Sequence, residues 1–350
     1  MYHVKTMNKI SKIGLAELDD RFEISDTMEH EDAILVRSAK LHDYDFPAEL
    51  LCIARAGAGV NNIPLDRAAE AGIVVFNTPG ANANGVKELT IAALLLASRK
   101  ISQGITWVKE QAAAGADVAA VVEKGKAAYV GPEIQGKTLG VVGLGAIGVL
   151  VANAAAALGM QIVGYDPFLS VQHALNLTPG VKVVSTLEEL FGQADYISLH
   201  LPMTPETKGT LNDAAFAAMK DGVRIVNLAR GELVDTEALK AALASGKCAA
   251  YVTDFPNSET AAMEGVVAIP HLGASTPESE DNCAKMAARQ VRDYLDNGNI
   301  VNSVNLPVLS MAWAAKNRVC VLTKGADAAA IAAAVPAVAS ASKTRGEYGY

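Results

Sequence analysis

The sequence has no excess of basic charge, no paired-cysteine motif and no long apolar run, and each absence removes a class of function. With 30 Lys and Arg against 38 Asp and Glu, the 350-residue chain carries a formal net charge of −8. No basic field exists to release counterions, so neither a nucleic acid nor an anionic membrane is expected as a partner. Local Arg and Lys can still hold a small anionic substrate. The four cysteines, Cys52, Cys248, Cys283 and Cys320, are scattered, with no CxxC and no metal-type spacing. They read as reduced thiols in a cytoplasmic protein, and no metal is expected. No uninterrupted apolar run reaches the roughly 18 residues of a membrane span. The nearest, residues 90–97, is far too short, and the opening Met1-Tyr-His-Val-Lys-Thr has no signal-peptide core. Aromatics are only 5% of a chain that is 51% hydrophobic. At this length two or three domains are expected.

What is present centres on Lys137-Thr-Leu-Gly-Val-Val-Gly-Leu-Gly-Ala-Ile-Gly148. The apolar run 139–142 reads as a buried parallel strand. Gly143-x-Gly145-x-x-Gly148 follows, then an Ala-rich helix over 149–158 that Gly159 stops, and a second strand over 161–165. Gly143 allows a tight turn, Gly145 lets backbone approach a pyrophosphate, and Gly148 lets helix pack closely on strand. The positive helix end faces the phosphates. Asp166, 18 residues beyond Gly148, suits the adenosine ribose hydroxyls, and its charge repels a 2′-phosphate. NAD is the expected cofactor.

The first hundred residues read as strands at 34–36, 51–54 and 73–76, a helix over 64–71, and a long apolar helix over 86–98. After the dinucleotide stretch, 195–200, 224–228 and 249–253 read as strands, with helices over 206–219, broken by Gly209, and 236–244 between them. A long helix over 277–297 can carry the chain back to the first domain. A strand signal at 318–322 then precedes a low-complexity Ala run over 326–341.

Three residues beyond the glycine motif could serve oxidation at a nicotinamide. Arg230 directly follows a buried strand, where ligands bind in such sheets, and its planar fork suits a carboxylate; a structural salt bridge is the other use of an Arg there. His271, after a prolyl bend and before a Gly/Ser loop, is the natural general acid/base. Glu259, a few residues past Asp254, could hydrogen-bond the imidazole, with Glu264 as a rival. His200 ends a strand and could line the cofactor site. In the first region, Arg55-Ala56-Gly57-Ala58-Gly59 follows a strand and can expose successive N–H groups to a carboxylate. Arg37-Ser38 also follows a strand and offers a positive point for a phosphate. Asn82, Asn84 and Lys87 cap or enter the apolar helix.

At Gly143-Leu-Gly-Ala-Ile-Gly148, Asn227-Leu-Ala-Arg-Gly231 with Asp235, Pro270-His-Leu-Gly-Ala-Ser-Thr276, and Asn77-Thr-Pro-Gly-Ala-Asn82 with Glu88, the chain resembles the D-isomer-specific 2-hydroxyacid dehydrogenases. The resemblance covers about residues 30–305. It implies an α/β protein of two Rossmann-like, doubly wound parallel-sheet domains: a flavodoxin-like substrate domain over 1–97, completed by 277–304, and an NAD-binding domain over 98–276. Residues 305–350 resemble a reduced ACT-like segment without an evident amino-acid-binding loop, so serine feedback is not expected. The implied catalytic set is Arg230, Glu259 and His271. The implied cofactor shell adds Ala146, Ile147, Asp166, Pro202, Thr207, Ala229, Asp254 and Gly273 to the glycines. Arg37 and Ser38 match phosphate contacts, loop 55–59 the carboxylate loop, Asn84 a further substrate contact, and Trp107-x-Lys109 a segment that reaches a partner subunit in a homodimer or tetramer built through the NAD domain. One departure is local: Glu259-Thr260 stands where the family has Glu-Pro, and the loop to His271 is short. The expected reaction is NAD-dependent oxidation of 3-phospho-D-glycerate. A reductase for glyoxylate or hydroxypyruvate and a non-catalytic NAD(H)-sensing scaffold are the rivals.

Overall fold

Two runs of short, buried strands, each interleaved with helices, form two separate parallel sheets. The computed structural model describes residues 1–337 and 339–350. By internal contacts the chain divides into one unit of Met1–Asn82 with Thr276–Tyr350 and another of Ala83–Ser275.

In the first unit, β1 (Tyr2–Met7), β2 (Phe22–Ser25), β3 (Ala33–Val36), β4 (Cys52–Arg55) and β5 (Val74–Phe76) pair in the order β2-β1-β3-β4-β5, all parallel. This is the flavodoxin-like order. Alternation along the strands sends side chains to opposite faces. Ala33, Leu35, Cys52, Ala54, Val74 and Phe76 join one core cluster, with the helix Pro277–Asn297, while Ile34, Val36, Ile53 and Val75 join another. That helix starts at an N-cap Thr276, whose hydroxyl accepts from Ser279 N, with Pro277 in its first turn, and it ends on Gly298 in a left-handed conformation. β1 and β2 lie in a stretch that carried no strand expectation.

In the second unit, β6 (Thr138–Val142), β7 (Gln161–Tyr165), β8 (Lys182–Val183), β9 (Tyr196–Leu199), β10 (Val223–Asn227), β11 (Cys248–Thr253) and β12 (Val266–Ala268) pair in the order β12-β11-β10-β9-β6-β7-β8, again all parallel. The order reverses between β6 and β9, which makes their carboxyl ends the switch point where such sheets bind ligands.

Two boundaries differ from expectation. The apolar helix, Ala83–Ser98, belongs to the second unit, where it packs on the helix Ala146–Ala157. Residues 305–350 group with the first unit by internal contacts. There, β13 (Thr323–Lys324), β14 (Thr344–Arg345) and β15 (Tyr348–Gly349) form a small antiparallel sheet; the expected strand over 318–322 does not form, and part of the Ala run forms the helix Ala328–Ala334. The helix expected over 206–219 is confined to Asp213–Ala218, because the backbone turns at Gly209, with φ of 64°. No helix among the described residues is long and apolar enough to cross a membrane.

Candidate active site

β6 ends in the glycine turn, and each glycine there has its own reason. Gly143 has φ of 93°, and a Cβ on it would lie 2.6 Å from the His200 carbonyl oxygen. A Cβ on Gly148 would lie 1.9 Å from the Gly143 carbonyl oxygen, so only glycine lets the helix approach the strand. Gly145 is different: it is the N-cap of Ala146–Ala157, supplies no side-chain cap, and its missing Cβ would meet nothing within 4 Å. The first-turn N–H groups of Ala146 and Ile147 thus end a helix beside open space, with no acidic residue in that turn.

Asp166, at the end of β7, is tied to this turn. Its Oδ2 accepts from Leu144 N at 2.9 Å and its Oδ1 from Phe168 N at 2.8 Å. Each carboxylate oxygen keeps a lone pair for a ribose hydroxyl. Beyond β9, the Thr207 hydroxyl donates to the Pro202 carbonyl at 2.6 Å, so Thr207 shapes its own loop and Pro202 is exposed. His200 is half-buried, with Nε2 2.9 Å from Ser198 Oγ, and desolvation lowers its pKa to about 4.

Asp254, at the end of β11, is 1% exposed. Its Oδ2 accepts from Gly273 N at 3.1 Å, while Oδ1 is buried with no partner. Burial raises its pKa, opposed by the Gly273 N–H and by the nearby His271. A buried carboxylate oxygen without a donor is costly, and a ligand amide N–H would satisfy it. The open helix end, the anchored Asp166 and this orphaned acceptor together fit a nicotinamide dinucleotide.

The candidate reacting groups lie at the ends of β10, β11 and β12. Arg230 is held by the loop after β10: buried Asn227 donates from Nδ2 to the Arg230 carbonyl at 2.8 Å and its Oδ1 accepts from Ala229 N at 3.1 Å. Asn227 was legible only as part of a motif, and its role as the loop's anchor was not. The Arg230 guanidinium donates to the Ala229 carbonyl at 2.6 Å and lies 5.3 Å from the centre of the Phe255 ring. The His271 ring is 4.3 Å from the same ring, tilted by 47°. His271 is exposed, as proton transfer to a substrate requires.

Glu259 is not brought to His271. Its carboxylate lies 3.5 Å from Lys240 Nζ on an exposed loop, and among the described residues no hydrogen bond or ion pair joins it to the imidazole. The loop is pinned elsewhere, with Asn257 Oδ1 accepting from Glu259 N and Thr260 N. Glu264, the rival, is exposed.

In the first unit, Arg37 Nη1 lies 2.7 Å from Glu280 Oε1. The Ser38 N–H is already donated to Asn8 Oδ1 at 3.0 Å. Arg55 donates from Nε to the Arg37 carbonyl at 3.0 Å. The loop 55–59 is less open than expected: Ala56 N donates to Val36 O and Gly57 N to Arg55 O, which leaves the N–H groups of Ala58 and Gly59. Gly57 has φ of 154°, and a Cβ on it would lie 1.9 Å from Arg55 Nη1. Asn84 is no N-cap; it accepts from Lys87 Nζ at 2.6 Å and donates to Glu88 at 2.9 Å. Lys109 is exposed on the helix Ile101–Ala113, where Trp107 packs on Tyr129 at 5.4 Å.

Comparison with known proteins gives the family. Residues 91–273 match the family model for the D-isomer specific 2-hydroxyacid dehydrogenase, NAD binding domain. The chain is 38% identical over 291 residues to the D-3-phosphoglycerate dehydrogenase of Rattus norvegicus, covering 81% of this chain and 52% of that protein. The chain thus spans about half the length of that curated relative. Among solved structures, an NAD+-bound 3-phosphoglycerate dehydrogenase of Entamoeba histolytica superposes with a TM-score of 0.67 at 28% identity, covering 88% of this chain and 99% of that one. A glyoxylate reductase from Paecilomyes thermophila superposes with a TM-score of 0.71 at 28% identity, covering 87% and 98%. The second unit is an NAD-binding domain, and the chain belongs to the D-isomer specific 2-hydroxyacid dehydrogenase family.

Proposed function

We propose that the protein oxidises 3-phospho-D-glycerate to 3-phosphohydroxypyruvate with NAD, the entry step of L-serine biosynthesis in the cytoplasm. The observation that carries this reading is the convergence of Arg230 and His271 on one aromatic ring, on strand ends adjoining the orphaned Asp254 oxygen. NAD, when bound, supplies the two-electron acceptor for the hydrogen on C2. The residues that would hold it are the Gly143–Gly148 turn, Asp166 and Asp254. Arg230 grips the substrate carboxylate with its fork and polarises the adjoining oxygen. The neutral His271 imidazole takes the C2 hydroxyl proton as the carbonyl forms, and gives it back in reduction. Ala58 and Gly59 offer N–H groups to the carboxylate, and Arg37 is assigned to the phosphate.

A second reading has an observation of its own. Arg37 already has a carboxylate, Glu280, at 2.7 Å, and Asn8 takes the Ser38 N–H. A phosphate must displace Glu280, whereas glyoxylate or hydroxypyruvate makes no such demand. The exposed helices Ile101–Ala113 and Val118–Gly125, neither with a buried residue, support assembly as a homodimer or tetramer.

His271→Ala tests the mechanism. Turnover is expected to fall by roughly 10²–10⁴ while NADH still binds, read by absorbance and by fluorescence titration. Turnover at the unsubstituted rate would remove His271 from the reaction.

A further inference from the structure

We propose that Phe255 is a positioning residue for this reaction, one ring that orients both the His271 imidazole and the Arg230 guanidinium and favours the imidazolium that forms as the substrate proton is taken. The proposal rests on the assignment of His271 as acid/base and Arg230 as clamp. Three observations lead to it. The carboxylate expected to steady the imidazolium, Glu259, is turned to Lys240 at 3.5 Å. Against the imidazole lies instead an aromatic ring, Phe255, with centres 4.3 Å apart and planes tilted by 47°. The same ring lies 5.3 Å from the Arg230 guanidinium.

The backbone that carries the ring is itself held. Phe255 N donates to the hydroxyl of buried Thr253 at 3.0 Å, and the preceding Asp254 is buried. A Cβ on Gly231 would lie 3.4 Å from the Phe255 carbonyl oxygen and 3.7 Å from its Cβ. The backbone after Arg230 therefore runs alongside Phe255. In a chain with only 5% aromatics, this one sits where three strand ends meet.

The physical effect is electrostatic as well as steric. An aromatic quadrupole attracts a cation near its face, and the attraction is larger for imidazolium than for neutral imidazole. The charged groups around His271 are Arg230 on the same ring, which disfavours a second cation, and the Asp254 carboxylate, which favours it. Glu259 and Lys240 form a pair of their own. Phe255 thus adds to Asp254 in offsetting Arg230, and it keeps the two reactive groups in register.

The test replaces Phe255 in the full chain in three ways: Phe255→Tyr keeps ring and quadrupole, Phe255→Leu removes the ring, and pentafluorophenylalanine keeps the shape with the quadrupole reversed. The acid limb of the kcat/KM profile is expected to move to lower pH by about half a unit in the pentafluoro and Leu proteins, and to stay in place in Phe255→Tyr. KM for the 2-hydroxy acid is expected to rise several-fold in Phe255→Leu as Arg230 loses its support, with NADH affinity unchanged. An unmoved limb in the pentafluoro protein, which keeps the packing and hence the fold, would overturn the proposal. His271→Ala is measured alongside. Full turnover there would instead overturn the assignment of His271, whatever the Phe255 variants do.

Discussion

Two glycine-bearing loops leave the carboxyl ends of parallel strands, one in each unit, and they put glycine to opposite uses. After β6, Gly145 faces open space, so the absent side chain leaves room for something the chain does not supply. After β4, the space beside Gly57 is filled by the Arg55 guanidinium, so the absent side chain admits a cation of the protein's own. The first loop is shaped to take a phosphate on helix N–H groups. The second brings the Arg55 guanidinium against the Arg37 backbone, close to Arg37 and its partner Glu280. Two sheets of similar construction therefore present different chemistry at one loop each, since the residues of a site and not the fold carry it.

The comparison can be broken most strongly at Gly148. Gly148→Ala places a methyl 1.9 Å from a backbone oxygen that cannot move aside. A loss of at least about 2 kcal/mol in stability is expected, with loss of NADH binding, by thermal unfolding and fluorescence titration. Gly145→Ala is its counterpart: unfolding is expected to stay within about 0.5 kcal/mol while NADH affinity falls. If both changed stability alike, the distinction between packing and ligand space would fail.

A second expectation concerns acid stability. Burial depresses the His200 pKa to about 4 from the ordinary 6.5. Between those values the unfolded chain binds more protons than the folded one, so stability rises with pH and is lost as pH falls from about 6.5 towards about 4. The slope from this one group is up to about 1.4 kcal/mol per pH unit. Urea unfolding across this range should show a shallower slope in His200→Gln than in the unsubstituted chain. Equal slopes in the two proteins would contradict the assignment.

The smallest effect belongs to the ion pair of the first unit. Glu280→Gln removes the carboxylate that competes for Arg37, and the KM for a phosphorylated 2-hydroxy acid is expected to fall a few-fold. Such an exposed pair is worth roughly 0–1 kcal/mol, which bounds the gain. An unchanged KM would mean that Arg37 does not meet the phosphate.

Legibility in the sequence followed the same divide. The dinucleotide turn could be read whole, because glycine spacing, strand, helix and acid are all local and each has a separate physical need. The parallel strands of both sheets were legible where they are apolar, as in the runs read at 34–36 and 51–54, which overlap Ala33–Val36 and Cys52–Arg55. β1 was not, because Tyr2–Met7 mixes Val4 with His3 and Lys5 and is only partly buried. The helix Ala83–Ser98 was legible as a helix but not as part of the second unit, since apolar residues announce burial and not the surface that buries them. Among the site residues, Arg230 and His271 followed from their places after strands. The partner of Glu259 did not, because a long side chain on an exposed loop chooses among neighbours that only the fold brings near, and here Lys240 is nearer. Phe255 was passed over, although an aromatic directly after a buried strand-end aspartate is a signal that could have found it.

The most direct test of the account is NADH formation from 3-phospho-D-glycerate and NAD, followed by absorbance in the unsubstituted chain and in Arg37→Ala. The account predicts turnover that depends on the chain, with KM for 3-phospho-D-glycerate raised at least tenfold in the variant and NADH binding intact. Equal activity of the two proteins on 3-phospho-D-glycerate, or turnover only with glyoxylate or hydroxypyruvate, would contradict it.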